Sequence, residues 1–220
     1  MVQRWNQVAA FVLAGGASTR MGRDKALLEL AGEPMLARAV RLAEPHVASV
    51  AIVAPAQRYA GLGLPVLPDR WSGAGPLGGI ATALGATTAD WNLVLSCDLP
   101  YLSSEWLAWL IPRALSSPAH AVMPESRRGP EPLAAIYHRA CAEALTAAVK
   151  RGVRRVTEGL SEILTERVCA AEWQALDSSG RLFDNMNTPE DYEEARRQIE
   201  KDARRLNQPE AGSTRRSSPL

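Results

Sequence analysis

Residues 15–25 read Gly-Gly-Ala-Ser-Thr-Arg-Met-Gly-Arg-Asp-Lys and follow directly on the apolar run Val8-Ala-Ala-Phe-Val-Leu-Ala14. Glycines let the backbone bend tightly and present bare N–H groups, while Arg20 and Lys25 add positive charge. A loop of this kind suits the phosphates of a nucleoside triphosphate. The spacing is not the Gly-x-x-x-x-Gly-Lys-Ser/Thr loop of ATPases. Taken alone, the glycines could equally do no more than shape a strand-to-helix turn.

Carboxylates and amides supply the other candidate chemistry. The run Trp91-Asn-Leu-Val-Leu-Ser-Cys97 stops at Asp98, with Pro100 close behind. A carboxylate where a buried strand ends lies at the edge where open α/β sheets bind ligands. Magnesium takes hard oxygen ligands and commonly joins one or two carboxylates to substrate phosphates, so Asp98 is the candidate metal ligand. It could instead cap the turn. Asp69 stands in a similar place after Val66-Leu67, suited to a base, a ribose or a basic side chain, or simply to capping the turn before Trp71. Asn185 and Asn187 are two apart, so in an extended segment both amides face one side. Amide oxygens can meet magnesium or orient phosphates, though asparagine is also ordinary turn chemistry. Glu131 and Arg139 flank one expected strand, as contacts for a second substrate or as a solvated pair.

The elements that would hold these residues alternate. Strands are expected near 8–14, 47–53, 65–68 and 91–97, and helices from Pro34 to Ala43, from Pro76 through Leu84, and from a Ser103 or Ser104 cap through Ile111. Further strands are expected at 120–123 and 133–137, a helix over 140–149, and a last helix capped by Thr188 with Pro189 in its first turn. Residues near Val168 suit strand or helix. The alternation predicts a mostly parallel sheet with helices on both faces.

A chain of 220 residues with 46% hydrophobic content can bury one full core. One domain over 1–206 is expected, followed by a polar tail, 207–220, with almost nothing to bury. A formal net charge of +1 argues against a protein that holds nucleic acid by its phosphates. Cys97, Cys141 and Cys169 have neither zinc spacing nor a disulfide pattern and fit a reducing, cytoplasmic setting. The N-terminus has no apolar stretch long enough for a signal peptide or a membrane span.

In order and combination these segments resemble the molybdenum cofactor guanylyltransferase family. The resemblance rests on Leu13-Ala-Gly-Gly-Ala-Ser-Thr-Arg-Met-Gly-Arg-Asp-Lys25 with the Ala-Leu-Leu28 that follows, on Gly75-Pro-Leu-Gly-Gly79, on Leu93-Val-Leu-Ser-Cys-Asp-Leu-Pro100, and on Phe183-Asp-Asn-Met-Asn-Thr-Pro-Glu-Asp191. It spans about 8–197. The Asn-x-Asn-Thr-Pro ending resembles the guanylyl-transferring branch more than its cytidylyl-transferring relatives.

The resemblance implies a three-layer, Rossmann-like α/β fold of nucleotidyltransferase type. It implies transfer of GMP from GTP to molybdopterin or its molybdenum-loaded form, with release of pyrophosphate and with magnesium as cofactor. By matching position, Leu13, Ala14 and Gly15 form the nucleotide-binding turn and Lys25 binds phosphate. Asp69 contacts nucleotide, Asp98 binds magnesium, Asn185 and Asn187 belong to the active site on the pterin side, and Gly75–Gly79 lies beside the guanine. Arg20 joins Lys25 and Asp98 as a catalytic candidate. Partners implied are GTP, molybdopterin, and delivery or acceptor proteins for the cofactor, with neither nucleic acid nor membrane. A relative that uses CTP or a sugar phosphate, and a GTP sensor without turnover, are the competing readings. The chain departs from the family at Pro132-Leu-Ala-Ala135, where a histidine is common, near Gln57, where some relatives carry an asparagine, and at Gly78, where many have alanine.

Overall fold

The computed structural model describes residues 2–15, 24–55, 58–177 and 179–206. Arg20, Gln57 and the tail 207–220 lie outside the described residues. In chain order, β1 is Trp5–Leu13, a 3-10 turn covers Lys25–Leu27, and Glu29–Leu30 (β2) pairs with Glu33–Pro34 (β3). Helix α1 is Met35–Ala43, β4 Val47–Ala54, β5 Val66–Pro68, α2 Gly75–Ala86, β6 Trp91–Ser96 and α3 Ser104–Ser116. Then follow β7 Ala121–Ser126, β8 Gly129–Pro130, β9 Ala134–His138, α4 Ala142–Lys150, α5 Val156–Gly159, β10 Thr165–Val168, α6 Ala170–Trp173 and α7 Pro189–Leu206.

The main sheet has the order β10-β7-β9-β6-β1-β4-β5, with β8 added to β7. Strands β6, β1, β4 and β5 run parallel, as does the pair β10 and β7, and β9 is antiparallel to both neighbours. The expected mostly parallel sheet is therefore present, with one reversed strand joining its two parallel parts. Strand β1 is apolar along most of its length because it has parallel neighbours on both sides and helices above and below.

Side chains alternate between two helical layers. Val8 and Ala10 of β1, with Leu93 and Leu95 of β6, pack against Trp106, Leu107, Leu110 and Ile111 of α3. Val12 meets Leu36 and Val40 of α1 on that same side. On the other face Val94 packs against Leu77, Ile80 and Ala81 of α2 and Leu145 and Ala148 of α4. Trp106 is fully buried, with Trp109 stacked on it at 5.4 Å and Phe183 edge-on at 5.1 Å. Trp106 therefore belongs to the interior, and the half-buried Trp109 packs against it.

Local expectations hold at most element ends. Ser103 caps α3 by accepting the Trp106 N–H at 3.2 Å. Pro34 sits one residue earlier than expected, at the N-cap of α1 and within β3. Val168 closes a strand and Ala170 opens a helix, so both readings of that segment apply to adjacent residues. The β2–β3 hairpin carried no signal in the sequence, being only two residues a side.

Helix α2 carries no charged residue and is buried along most of its length. Two of its glycines are explained by space. A methyl at Gly79 would come within 3.0 Å of Leu13 Cδ1. One at Gly78 would meet Ala74 Cβ at 2.8 Å and the Trp71 carbonyl oxygen at 2.9 Å. The alanine that the resemblance would put at Gly78 thus has no room here, because Trp71 and Ala74 fill the place and neither contact is a flexible side-chain end. Overpacking of this kind costs about 1–3 kcal/mol, against about 1 kcal/mol that alanine gains as a better helix former. Gly78→Ala is expected to lower the urea unfolding midpoint, and an unchanged or raised midpoint would show that α2 shifts freely.

Candidate functional site

Hydrogen bonds continue past the ends of the parallel strands. Leu13 lies level with Val53 on one side and Ser96 on the other. Beyond it, the Ala14 N–H donates to the Val53 carbonyl at 2.9 Å, and the Asp69 N–H donates to the Ala54 carbonyl at 2.9 Å. The departing segments therefore leave the sheet side by side. They open on a cleft of about 540 Å³ lined by Leu13, Ala14, Gly15, Lys25, Asp69 and Asp98, with Gly73, Gly75, Pro76 and Gly79 along one wall. Gly73 and Gly75 have φ of 79° and 68°, the left-handed region that only glycine enters without strain.

Each carboxylate in the cleft is held. Asp98 accepts the Ser96 hydroxyl at 2.5 Å on Oδ1. Asp69 Oδ1 accepts both the Trp71 N–H at 3.0 Å and the Thr82 hydroxyl at 2.9 Å, and Thr82 is fully buried. Asp69 therefore does cap the turn before Trp71, and it lines the cleft as well. Asp24 accepts the Ala26 N–H at 3.1 Å, the Tyr59 hydroxyl at 2.9 Å, and an ion pair from Arg58 at 3.1 Å. Burial and the neighbouring Asp24 push the Tyr59 hydroxyl well above its ordinary value, so it stays a donor.

The segment 185–187 completes the edge. The Met186 N–H donates to the Asp98 carbonyl at 2.9 Å, and its side chain is buried against Leu30 and Met35. Asn185 and Asn187 on either side are exposed, as alternation in an extended segment requires. Lys25 Nζ donates to Asn187 Oδ1 at 2.7 Å, joining residues 162 apart in sequence. Asn187 and Asn185 lie beside the cleft, outside its lining.

Glu131 and Arg139 do not share a site. Arg139 pairs with Asp90 at the far end of β9, 3.0 Å away, and is exposed. Glu131 accepts the Ser126 hydroxyl at 2.6 Å, and burial raises its carboxyl above the ordinary range, aided by the charges of Asp184 and Asp98. Cys97 is buried, and desolvation pushes its thiol up to about 12, so it is no nucleophile. Asp24, Tyr59, Arg58, Thr82 and Ser96 were not singled out from sequence. Asp24 had a visible signal, an N-cap residue type directly before Lys25; the others meet their partners only through the fold.

Among the described residues no group of three or more His, Cys, Asp or Glu side chains could by itself hold a metal ion. The single carboxylate of Asp98 nevertheless fits magnesium, which is often bound through one or two carboxylates with substrate phosphates and waters completing its shell. Among the described residues no helix is long and apolar enough to cross a membrane.

Residues 10–166 match the family model described as MobA-like NTP transferase domain. A protein of Trichormus variabilis named probable molybdenum cofactor guanylyltransferase is 37% identical over 194 residues, covering 84% of this chain and 89% of that one. The molybdenum cofactor guanylyltransferase of Rhodobacter capsulatus is 36% identical over 207 residues, covering 90% and 99%. The crystal structure of molybdopterin-guanine dinucleotide biosynthesis protein A from Archaeoglobus fulgidus has the same fold, with a TM-score of 0.78 at 24% identity over 88% of this chain and 99% of that chain.

The start of α7 carries a reciprocal cap. The Asp191 carboxylate accepts the N–H groups of Asn187 and Thr188 at 2.8 Å each, and the Thr188 hydroxyl accepts the Asp191 N–H at 3.1 Å. The bond from Asn187 holds the Asp191 carboxyl below its ordinary value of 3.8. A depressed carboxylate stabilises the fold above that ordinary value and ceases to as pH falls through the lowered one. Asp191→Asn keeps an oxygen for these N–H groups and removes only a solvent-screened charge, so it is expected to cost no more than about 0.3–1 kcal/mol near neutral pH. Urea midpoints of the two proteins should converge as pH falls below the ordinary carboxyl value of 3.8 and through the lowered one; a gap that stays constant over the whole acid range would remove the carboxylate's charge from the cap.

Proposed function

The chain belongs to the MobA-like NTP transferase family, and from that premise we propose that it transfers GMP from GTP to molybdopterin or its molybdenum-loaded form. The observation that carries this reading is the cleft itself. Leu13, Ala14, Gly15, Lys25, Asp69 and Asp98 come from four separate parts of the chain and line one cavity at the carboxyl edge of the sheet.

In the proposed reaction a phosphate oxygen of the acceptor attacks the α-phosphorus of GTP. The new P–O bond forms as the bond to the β-phosphate bridging oxygen breaks, and pyrophosphate leaves with that electron pair. The attacking oxygen is already anionic, so no base is required, and catalysis is positioning plus electrostatic stabilisation. The turn Leu13–Gly15 would receive the nucleotide, with the glycine wall at Gly73 and Gly75 beside the base and Asp69 toward the nucleoside. Lys25 would stabilise the charge gathering on pyrophosphate, with Arg20 as its helper. Asp98 would hold magnesium, which when bound would offset the charge of the phosphates. Asn187, already within 2.7 Å of Lys25 Nζ, would link the phosphate side to the acceptor side, with Asn185 next to it.

Pyrophosphate release should require GTP, magnesium and molybdopterin together, and CTP or UTP should substitute poorly. Release with CTP instead would assign the chain to a cytidylyl-transferring reaction. Tight GTP binding with no release above a heat-killed control would make it a sensor. Within the active protein, Asp98→Asn retains an oxygen for the Ser96 hydroxyl. It should lower magnesium-dependent turnover by about 10²-fold or more while leaving stability within about 1 kcal/mol. Equal turnover would take Asp98 out of the metal site.

A further inference from the structure

Lys25 follows a residue that is held from outside its own loop. Asp24 is the N-cap of the 3-10 turn Lys25–Leu27, with its carboxylate on the Ala26 N–H. Both carboxylate oxygens also lie within hydrogen-bond reach of the Tyr59 hydroxyl, at 3.2 and 2.9 Å, and Oδ2 lies 3.1 Å from Arg58 Nε. Tyr59 is 3% exposed and packs beside Val12, Ala26 and Ile52, so its ring is fixed by the core under β1 and β4. Asp24 and Tyr59 both line the cleft.

We infer that Asp24, clamped by Tyr59 and Arg58, is a positioning residue that sets the direction in which Lys25 enters the cleft. Three features support the assignment. The anchored carboxylate is covalently next to Lys25, so its cap fixes the backbone from which the lysine departs. The clamp is partly charge-assisted, and such bonds are about twice as strong as neutral ones. Arg58 and Tyr59 also offset a negative charge that would otherwise oppose an anionic ligand in the same cavity. Direct metal binding is the competing role for a cleft carboxylate. It is disfavoured because both oxygens are already engaged by donors.

The inference rests on the cleft being a GTP site, and its test reads GTP affinity so that it does not depend on transfer to an acceptor. Asp24→Ala and Tyr59→Phe are each compared in the wild-type chain and in Lys25→Ala. Tyr59→Phe keeps the ring packing and removes only the hydroxyl, so it remains interpretable if Asp24→Ala weakens the fold. Asp24→Ala is expected to weaken GTP binding about tenfold and Tyr59→Phe about threefold in the wild-type chain, and both less than twofold once Lys25 is gone. Asp24→Asn, which still accepts the Ala26 N–H, should recover part of the loss. Equal losses in both backgrounds would mean that neither residue acts through Lys25 and would overturn the inference. So would a defect that tenfold more magnesium repairs, since that would make Asp24 a metal ligand. A wild-type chain that binds GTP but transfers nothing would remove the proposed reaction while leaving this comparison intact. One that does not bind GTP would overturn both.

Discussion

The site depends on parallel strands that stop at one level. Leu13 is in register with Val53 and with Ser96, and hydrogen bonds continue one residue further to Ala14 and, from β5, to Asp69. Because parallel strands share a direction, everything that follows their carboxyl ends emerges on the same edge. Gly15, Asp69 and Asp98 therefore meet although they are scattered through the sequence. A slip of one residue in β1 would turn its whole apolar set toward the opposite layer of helices. The burial of Val8, Ala10 and Val12 on the α1 and α3 side thus guards the geometry of the cleft as well as the core.

Charge in this cavity is arranged before any ligand enters. Among the described residues that line it, three are acidic, an unexpected lining for a triphosphate. Each acid is occupied: Asp24 by Arg58, Tyr59 and a backbone N–H, Asp69 by Thr82 and Trp71, Asp98 by Ser96. Fixed partners of this kind hold the carboxylates still and spare the site reorganisation when charge moves. Lys25 is turned toward Asn187, so the cation and the amide segment are already in contact.

Much of this was legible in the residue order because it is local. Apolar runs ending in Asp98, Asp69 or Gly15 marked strand ends, and Thr188, Pro189 and Asp191 spelled out the start of α7. Contacts between distant segments were not legible. Nothing near Tyr59 announces a partner 35 residues earlier. The glycines of α2 illustrate a second limit. Small residues near an expected ligand can be explained by close approach to it, yet Gly78 is held small by Trp71 and Ala74, and Gly79 lies tight against the Leu13 side chain. Glu131 and Arg139 looked paired across one strand, but five strand residues carry them to opposite edges of the sheet.

The contact between Lys25 and Asn187 also has a meaning in time. A ribosome delivers the amino end first, and domains fold as their residues emerge. The strands that lead to Gly15, Asp69 and Asp98 are all synthesised before the segment 185–187, so the cleft lining precedes Asn187 in the order of synthesis. The contact spans a separation of 162 positions, which makes it one of the last that synthesis provides. A chain that still lacks residues 185–187 therefore lacks the Lys25–Asn187 contact whatever else it has formed, and the carboxyl-terminal segment is what completes this edge.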